Sequence, residues 1–356
     1  MSPARSRRRH SGKMFDDAYA EELTKRYASR PEWNRPVNYL IATSPGREPQ
    51  RRWLNETLGA LPSERDRYVT RLKADRNFLA AYNELAVAAV FLGCGYDVEP
   101  DPDLEGLTPD FLVQRGGDTP TIVEVYTRHR SDPHIREEQR WKELKVRARA
   151  IPLSVGLVAR IPDGSGLSAP DSKTCIAIVD ELKRQLLSLA NPSGNTLLAE
   201  GYLFHVFEGL SGMRATMSTP PASGWHDADQ VLDAIREKVS RYADIVGKAD
   251  MRLVVVVAAE LESSLTGELV RTALTGAQSL TLNLDPFGPS STGPHTVRLR
   301  ERDEPIRFHE AVSGVGWLVA GTDESGPLIV YRVASAERPL PWATEERLEV
   351  VNLFEA

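Results

Sequence analysis

Leu107-Thr108-Pro109-Asp110-Phe111-Leu112-Val113 is followed, after a Gly116-Gly117-Asp118 turn, by Ile122-Val123-Glu124-Val125-Tyr126. Both segments are short and apolar, and the glycine pair between them breaks regular structure, so they read as neighbouring strands. Side chains alternate along a strand, which points Glu124 and Tyr126 to one face and Val123 and Val125 to the other. Asp110 follows Pro109 and opens the first strand, fourteen residues before Glu124. That spacing fits a hairpin with the two carboxylates side by side. A carboxylate inside an apolar strand costs free energy unless something compensates it.

Working back from the hairpin, Phe78, Ala81, Tyr82, Leu85, Ala88, Ala89 and Leu92 recur at helical spacing, and Gly93 and Gly95 end the helix. Glu84 borders this stripe. Three and four residues away it has Ala80, Ala81, Val87 and Ala88, none of which can pair with it. A short strand is expected at Tyr96 to Glu99. Working forward, a helix is expected over Pro133 to Ala150 and a strand over Ser154 to Arg160. The order is helix, three-stranded meander, helix, strand. Three carboxylates converging from Glu84, Asp110 and Glu124 would suit a hard cation such as Mg²⁺, which takes oxygen ligands.

These strings resemble the PD-(D/E)XK nuclease superfamily, the restriction-endonuclease-like group. Pro109-Asp110 with Glu124-Val125-Tyr126 carries the signature, and Asn83-Glu84-Leu85 through Gly93-Cys94-Gly95-Tyr96 resembles the superfamily's first helix and its exit. The resemblance covers about 85 residues of 356. It implies an α/β restriction-endonuclease-like core with an α/β extension and a β-rich C-terminal part. It also implies metal-dependent hydrolysis of phosphodiester bonds in DNA. Mg²⁺ or Mn²⁺ would be held by Glu84, Asp110, Glu124 and the Val125 carbonyl. Tyr126 stands where the family has a lysine, and tyrosine brings no positive charge. Some members supply the lysine from the following helix. Lys145 there borders the apolar stripe of Trp141, Leu144, Ala148 and Ile151, whereas Lys142 points farther away. The expected catalytic set is Glu84, Asp110, Glu124, Tyr126 and Lys145. Restriction, phage defence or repair would suit such a protein. The alternative is a degenerate nuclease-fold module that binds nucleic acid or a partner protein. A homodimer or a partner subunit is compatible with either.

The rest of the chain bounds these readings. With 41% hydrophobic residues it can bury a sizeable core, and a net charge of −6 rules out a bulk polycation. DNA contact would need a local basic patch. Arg128, His129, Arg130, Arg136, Arg140, Arg147 and Arg149 form the densest basic region outside the N-terminus; it reads equally as a phosphate contact or as a solvated helix face. Arg5, Arg7, Arg8 and Arg9 mark a disordered arm or one that touches phosphates. His129 and His134 lie near the expected site and read as surface histidines; Gln139 is a candidate for the glutamine that family members often carry on this helix, but the helical wheel places it away from the apolar stripe. No run of about 18 apolar residues exists, so no membrane helix is expected. Cys94 and Cys175 lack metal-ligand spacing and read as reduced thiols, which fits a cytoplasmic protein.

Three regions are expected: 1–65 as a basic arm or small subdomain, 66–260 as the nuclease-like domain with its extension, and 261–356 as a β-rich region. Further helices are expected at Ser172 to Leu189, Ala228 to Val246 and Leu265 to Leu280. Strands are expected at Asn38 to Ala42, Tyr202 to Glu208 and Arg252 to Ala258, with a hairpin at Val312 to Ala320 and Leu328 to Val333.

Overall fold

The computed structural model describes residues 13–127, 132–209, 214–220, 228–258, 270, 274, 279–282, 295–298, 311–318, 328–333 and 336–352. It is a mixed α/β protein of two compact units. Unit 1 comprises Met1–Lys25, Val37–Arg128 and His226–Ala356; unit 2 comprises Arg26–Pro36 and His129–Trp225.

Unit 1 is built on a seven-stranded mixed sheet. Its strands are β1 (Asp97–Pro100), β2 (Phe111–Gln114), β3 (Thr121–Thr127), β8 (Arg252–Ala258), β11 (Val312–Leu318), β12 (Leu328–Arg332) and β13 (Leu348–Asn352), in that spatial order. The meander β1–β2–β3 is antiparallel, β3 lies parallel to β8, and β8 lies parallel to β11. Arg252-Leu-Val-Val-Val-Val-Ala258 is buried nearly throughout, as a central strand covered on both faces requires. Helix α5 (Phe78–Gly93) covers one face. It packs on β3, and Asn83 Nδ2 donates to Thr127 Oγ1 at 3.1 Å. Helix α8 (Ala228–Lys248) covers the other, packing Val231, Ile235, Val239 and Tyr242 against Ile122, Val255 and Val257.

The N-terminal residues of unit 1 add helices α1 (Asp17–Tyr27), α2 (Val37–Thr43), α3 (Glu48–Ala60) and α4 (Arg65–Lys73). The last residues of α1 pass into unit 2. Gln50 of α3 donates to the Tyr82 hydroxyl of α5 at 2.8 Å, and Trp53 meets Tyr82 edge-on at 5.3 Å. The strand expected at Asn38 to Ala42 is helix α2 instead. Its buried residues are Asn38, Ile41 and Ala42, a spacing of three and four that fits a helix and not an alternating strand.

Unit 2 holds a separate four-stranded sheet ordered β5 (Thr196–Ala199), β6 (Tyr202–Glu208), β4 (Val155–Arg160), β7 (Thr216–Ser218). Helices α6 (Asp132–Ala148) and α7 (Ser172–Ser188) pack together over its core of Trp141, Leu144, Leu157, Ile178, Leu182 and Phe204. The expectation that the helix near 133–150 and the strand near 154–160 continue the meander is therefore corrected. Both belong to unit 2, and β4 pairs with β6 and β7. The parallel neighbour of β3 is β8, about 125 residues further on. Sequence adjacency misled here because a long insertion separates β3 from its continuation.

The hairpin pairing of β11 with β12 matches expectation, while its turn lies outside the described residues. Most of the helix expected at Leu265 to Leu280 also lies outside them. Val270 and Leu274 are helical, but Ser279 and Leu280 belong to β9 (Ser279–Leu282), which pairs antiparallel with β10 (His295–Arg298).

Candidate functional site

The β1–β2 loop delivers Asp110. The Asp101 amide donates to the Asp110 carbonyl at 3.1 Å, closing the loop at its base, and Leu104 and Leu107 bridge within it. Asp101 and Glu105 hold positive φ of 48° and 53° to make the turns, a conformation that non-glycine residues adopt at a cost. Asp110 lies one residue before β2, so the ladder to β3 has just ended. Side chains take over from it. Asp110 Oδ2 accepts the Val125 amide at 2.7 Å, and Glu124 Oε1 accepts the Asp110 amide at 3.2 Å. This reciprocal pair of bonds fixes the two carboxylates next to each other.

Glu124 is almost fully buried, at 2% exposure. Its other oxygen, Oε2, accepts from Lys238 Nζ of α8 at 2.6 Å. Lys238 is a site residue that the sequence reading passed over, and a signal for it existed. Val231, Ile235, Lys238, Tyr242 and Ile245 step by four, three, four and three along α8. A lysine in the middle of an otherwise buried stripe points its charge toward the core, and such a charge needs a partner.

Glu84 does not stand without a partner. No neighbour on its own helix pairs with it, but Arg71 of α4 reaches across with both terminal nitrogens, one to each carboxylate oxygen. The partner lies thirteen residues upstream on another helix, beyond any local spacing rule. Burial works against the charge of Arg71, and hydrogen bonding to Glu84 more than offsets it, raising the guanidinium above its ordinary pKa. Arg67, also on α4, pairs with Asp101. Tyr68 between them is buried, and burial, followed by the charge of Glu84, pushes its phenol upward.

Asp110 shows most clearly what these groups do to one another. Burial, then the charges of Glu124 and Glu84, push its carboxyl up to about 7. The Val125 amide and Lys238 pull the other way and lose. Tyr242 of α8 donates to the Thr108 carbonyl at 3.3 Å; burial and the adjacent Glu124 raise its phenol.

Tyr126 is half-buried and packs against the apolar cluster beneath α8. Lys145, expected to replace the missing lysine, lies on α6 in unit 2; the cation bonded to Glu124 is Lys238. Within α6, Lys142 pairs with Glu138 at 2.9 Å and Arg147 with Glu143 at 2.7 Å, while Arg149 pairs with Glu32 at 2.8 Å. Gln139, Arg136 and Arg140 are exposed. The N-terminal arginines, Arg128, His129, Arg130 and the side chain of His134 lie outside the described residues.

Among the described residues, no group of three or more His, Cys, Asp or Glu side chains is gathered as a ready metal cage. The fit to Mg²⁺ is of another kind. Mg²⁺ is commonly held by one or two carboxylates, with waters and substrate oxygens completing its shell. Asp110 and Glu124 supply two hard-oxygen groups, each accepting a backbone amide from the other's strand, and a divalent cation would offset their negative charge. No helix among the described residues is long and apolar enough to cross a membrane. Comparison of the chain with protein-family models, with curated proteins and with solved structures finds no match.

Proposed function

We propose that unit 1 is a metal-dependent nuclease module of the PD-(D/E)XK kind that hydrolyses phosphodiester bonds in DNA. The observation that carries this reading is the chain Lys238–Glu124–Asp110: a cation delivered by a helix to one of two carboxylates tied together at the end of a strand pair. The element order supports it. Helix α5, the meander β1–β2–β3, then α8 and the parallel strand β8 follow the family's helix, meander, helix, strand, provided residues 129–225 are taken as an insertion between β3 and α8.

In this reading Asp110 and Glu124 would hold the cation, with the Val125 carbonyl as a further oxygen donor. Mg²⁺ or Mn²⁺ bound there would activate a water and stabilise charge on the phosphate. Lys238 takes the role that the motif position, Tyr126, lacks: its ammonium orients the attacking water and offsets negative charge as it develops on the phosphoryl oxygens. Glu84 contributes from α5. In hydrolysis the water oxygen would bond to phosphorus and lose its proton to solvent, the bond to the leaving ester oxygen would break, and that oxygen would depart with the electron pair and take up a proton from solvent.

Plasmid cleavage in Mg²⁺ or Mn²⁺ tests the reading. The wild type should cleave and Asp110→Asn should not, a loss of at least about 10³-fold, because removing a metal-binding carboxylate removes charge stabilisation worth several kcal/mol. A folded wild type that binds nucleic acid but cleaves neither DNA nor RNA would sink it. That result would favour the non-catalytic binding module, for which the capture of Glu84 by Arg71 already speaks.

A further inference from the structure

The forked pair between Arg71 and Glu84 is costly as a mere brace. Glu84 is 6% exposed, and Arg71 spends both terminal nitrogens on it. Desolvating two charges consumes much of what their attraction returns, so an apolar pair could join α4 to α5 as well. The fork also lies within electrostatic reach of Asp110. Arg71 pairs with Glu84 and Lys238 with Glu124, so an ionised Asp110 leaves one uncompensated negative charge. Arrival of one divalent cation with one phosphodiester would bring the set to neutrality. The guanidinium fork that fits a carboxylate fits the two non-bridging oxygens of a phosphodiester equally well.

We propose that Arg71 is the phosphate-binding residue of this site and that Glu84 holds it in waiting. An incoming phosphodiester takes over the fork, and Glu84, released by that exchange, turns to the cation shared by Asp110 and Glu124. Metal and substrate then bind cooperatively, because each frees a partner for the other. The inference rests on the nuclease reading and adds to it the contact that recognises the scissile phosphate.

The test uses the full chain and two readouts. The first is Mn²⁺ affinity by electron paramagnetic resonance without nucleic acid, in the wild type, Arg71→Gln, Glu84→Gln and the double variant. Arg71→Gln should bind Mn²⁺ about tenfold more tightly, Glu84→Gln should change little, and the double variant should lose the gain. The second is plasmid cleavage: Arg71→Gln should raise KM about tenfold or more with a smaller change in kcat, and Arg71→Lys should recover part of it. Thermal melts identify variants that fold; the double variant, with both charges gone, guards against loss of Arg71→Gln to misfolding. An Mn²⁺ gain that survives Glu84→Gln, or no gain and an unchanged KM, overturns the proposal while leaving the nuclease reading intact. Mn²⁺ binding indifferent to Asp110→Asn overturns both.

Discussion

Each unit of this protein buries a carboxylate, and the two burials are not alike. In unit 2, Glu143 of α6 is 6% exposed and accepts from Arg147 Nε at 2.7 Å and from Ser172 Oγ at 2.6 Å. One acid meets one cation and one hydroxyl, all within two packed helices, and nothing is left over. In unit 1 Arg71 pairs with Glu84 and Lys238 with Glu124, while burial, followed by the charges of Glu124 and Glu84, raises the carboxyl of Asp110. Burial of charge alone does not mark a function. A compensated buried acid is a brace, as Glu143 is, whereas an excess of like charge held together by backbone bonds calls for a cation from outside.

The same contrast separates the two lysines that could serve the chemistry. Lys238 touches Glu124, while Lys145 stands on the helix that carries Glu143. Lys238→Gln should lower kcat for plasmid cleavage by about 10²- to 10³-fold, the loss expected when a positioned cationic donor to the transition state is removed. Lys145→Gln should stay within about twofold. Steady-state cleavage by the two variants decides between the units; a large loss at Lys145 with none at Lys238 would move the chemistry out of the arrangement described for unit 1.

Why the sequence pointed to Lys145 is instructive. The hairpin was legible because it is local: Asp110 and Glu124 are fourteen residues apart, and period-two alternation sets their faces. Helix α5 was legible from its apolar period, and β8 from its run of valines. What failed was adjacency. The next helix in the chain is not the next helix of the core: residues 129–225, together with residues 26–36, form a separate unit with its own core. Nothing in the period of α6 distinguishes it from α8, since both are amphipathic. A charged residue beside the stripe does not distinguish them either, since α6 buries Glu143 and α8 half-buries Lys238; only the partners differ, Arg147 and Ser172 for Glu143 and Glu124 for Lys238. Arg71 was illegible for the opposite reason. Its partner is on another helix, and only the packing of α4 against α5 brings the two together.

Stability against pH sharpens the comparison at smaller magnitude. The carboxyl of Asp110 is raised in the folded protein from 3.8 to about 7. A raised acid binds its proton more tightly when folded, so its ionisation opposes folding. The penalty is absent below the unfolded value, grows as pH rises from about 4 to 7, and is complete above that. Asp110→Asn keeps an oxygen for the Val125 amide and removes the charge. It should therefore stabilise unit 1 by about 2 kcal/mol at pH 8, roughly half of what the shift converts to, because partial exposure screens it. The gain should vanish by pH 4. Glu143→Gln should do the reverse in unit 2 and destabilise by about 1 to 2 kcal/mol at pH 8, because Arg147 loses its partner. Chemical denaturation at the two pH values reads both. If Asp110→Asn destabilises at pH 8, the crowding of carboxylates is not real.

Tyr126 carries the smallest expected effect and tests the face assignment of β3. It stands two residues beyond Glu124, where the proposed nuclease reading would place a lysine, yet its ring packs into the apolar cluster beneath α8 with Leu112 and Ile122. With Lys238 bonded to Glu124, the hydroxyl of Tyr126 has no charge to supply and its ring already has a packing role. Tyr126→Phe keeps the ring and should change cleavage by no more than about threefold, within the net value of a single neutral hydrogen bond. Tyr126→Ala should cost about 3 kcal/mol of stability through the cavity it opens, as large-to-small core changes do. A hundredfold loss of kcat in a fully stable Tyr126→Phe would return the water-orienting role to the motif position and reduce Lys238 to a counter-ion, making it the unit 1 equivalent of Arg147.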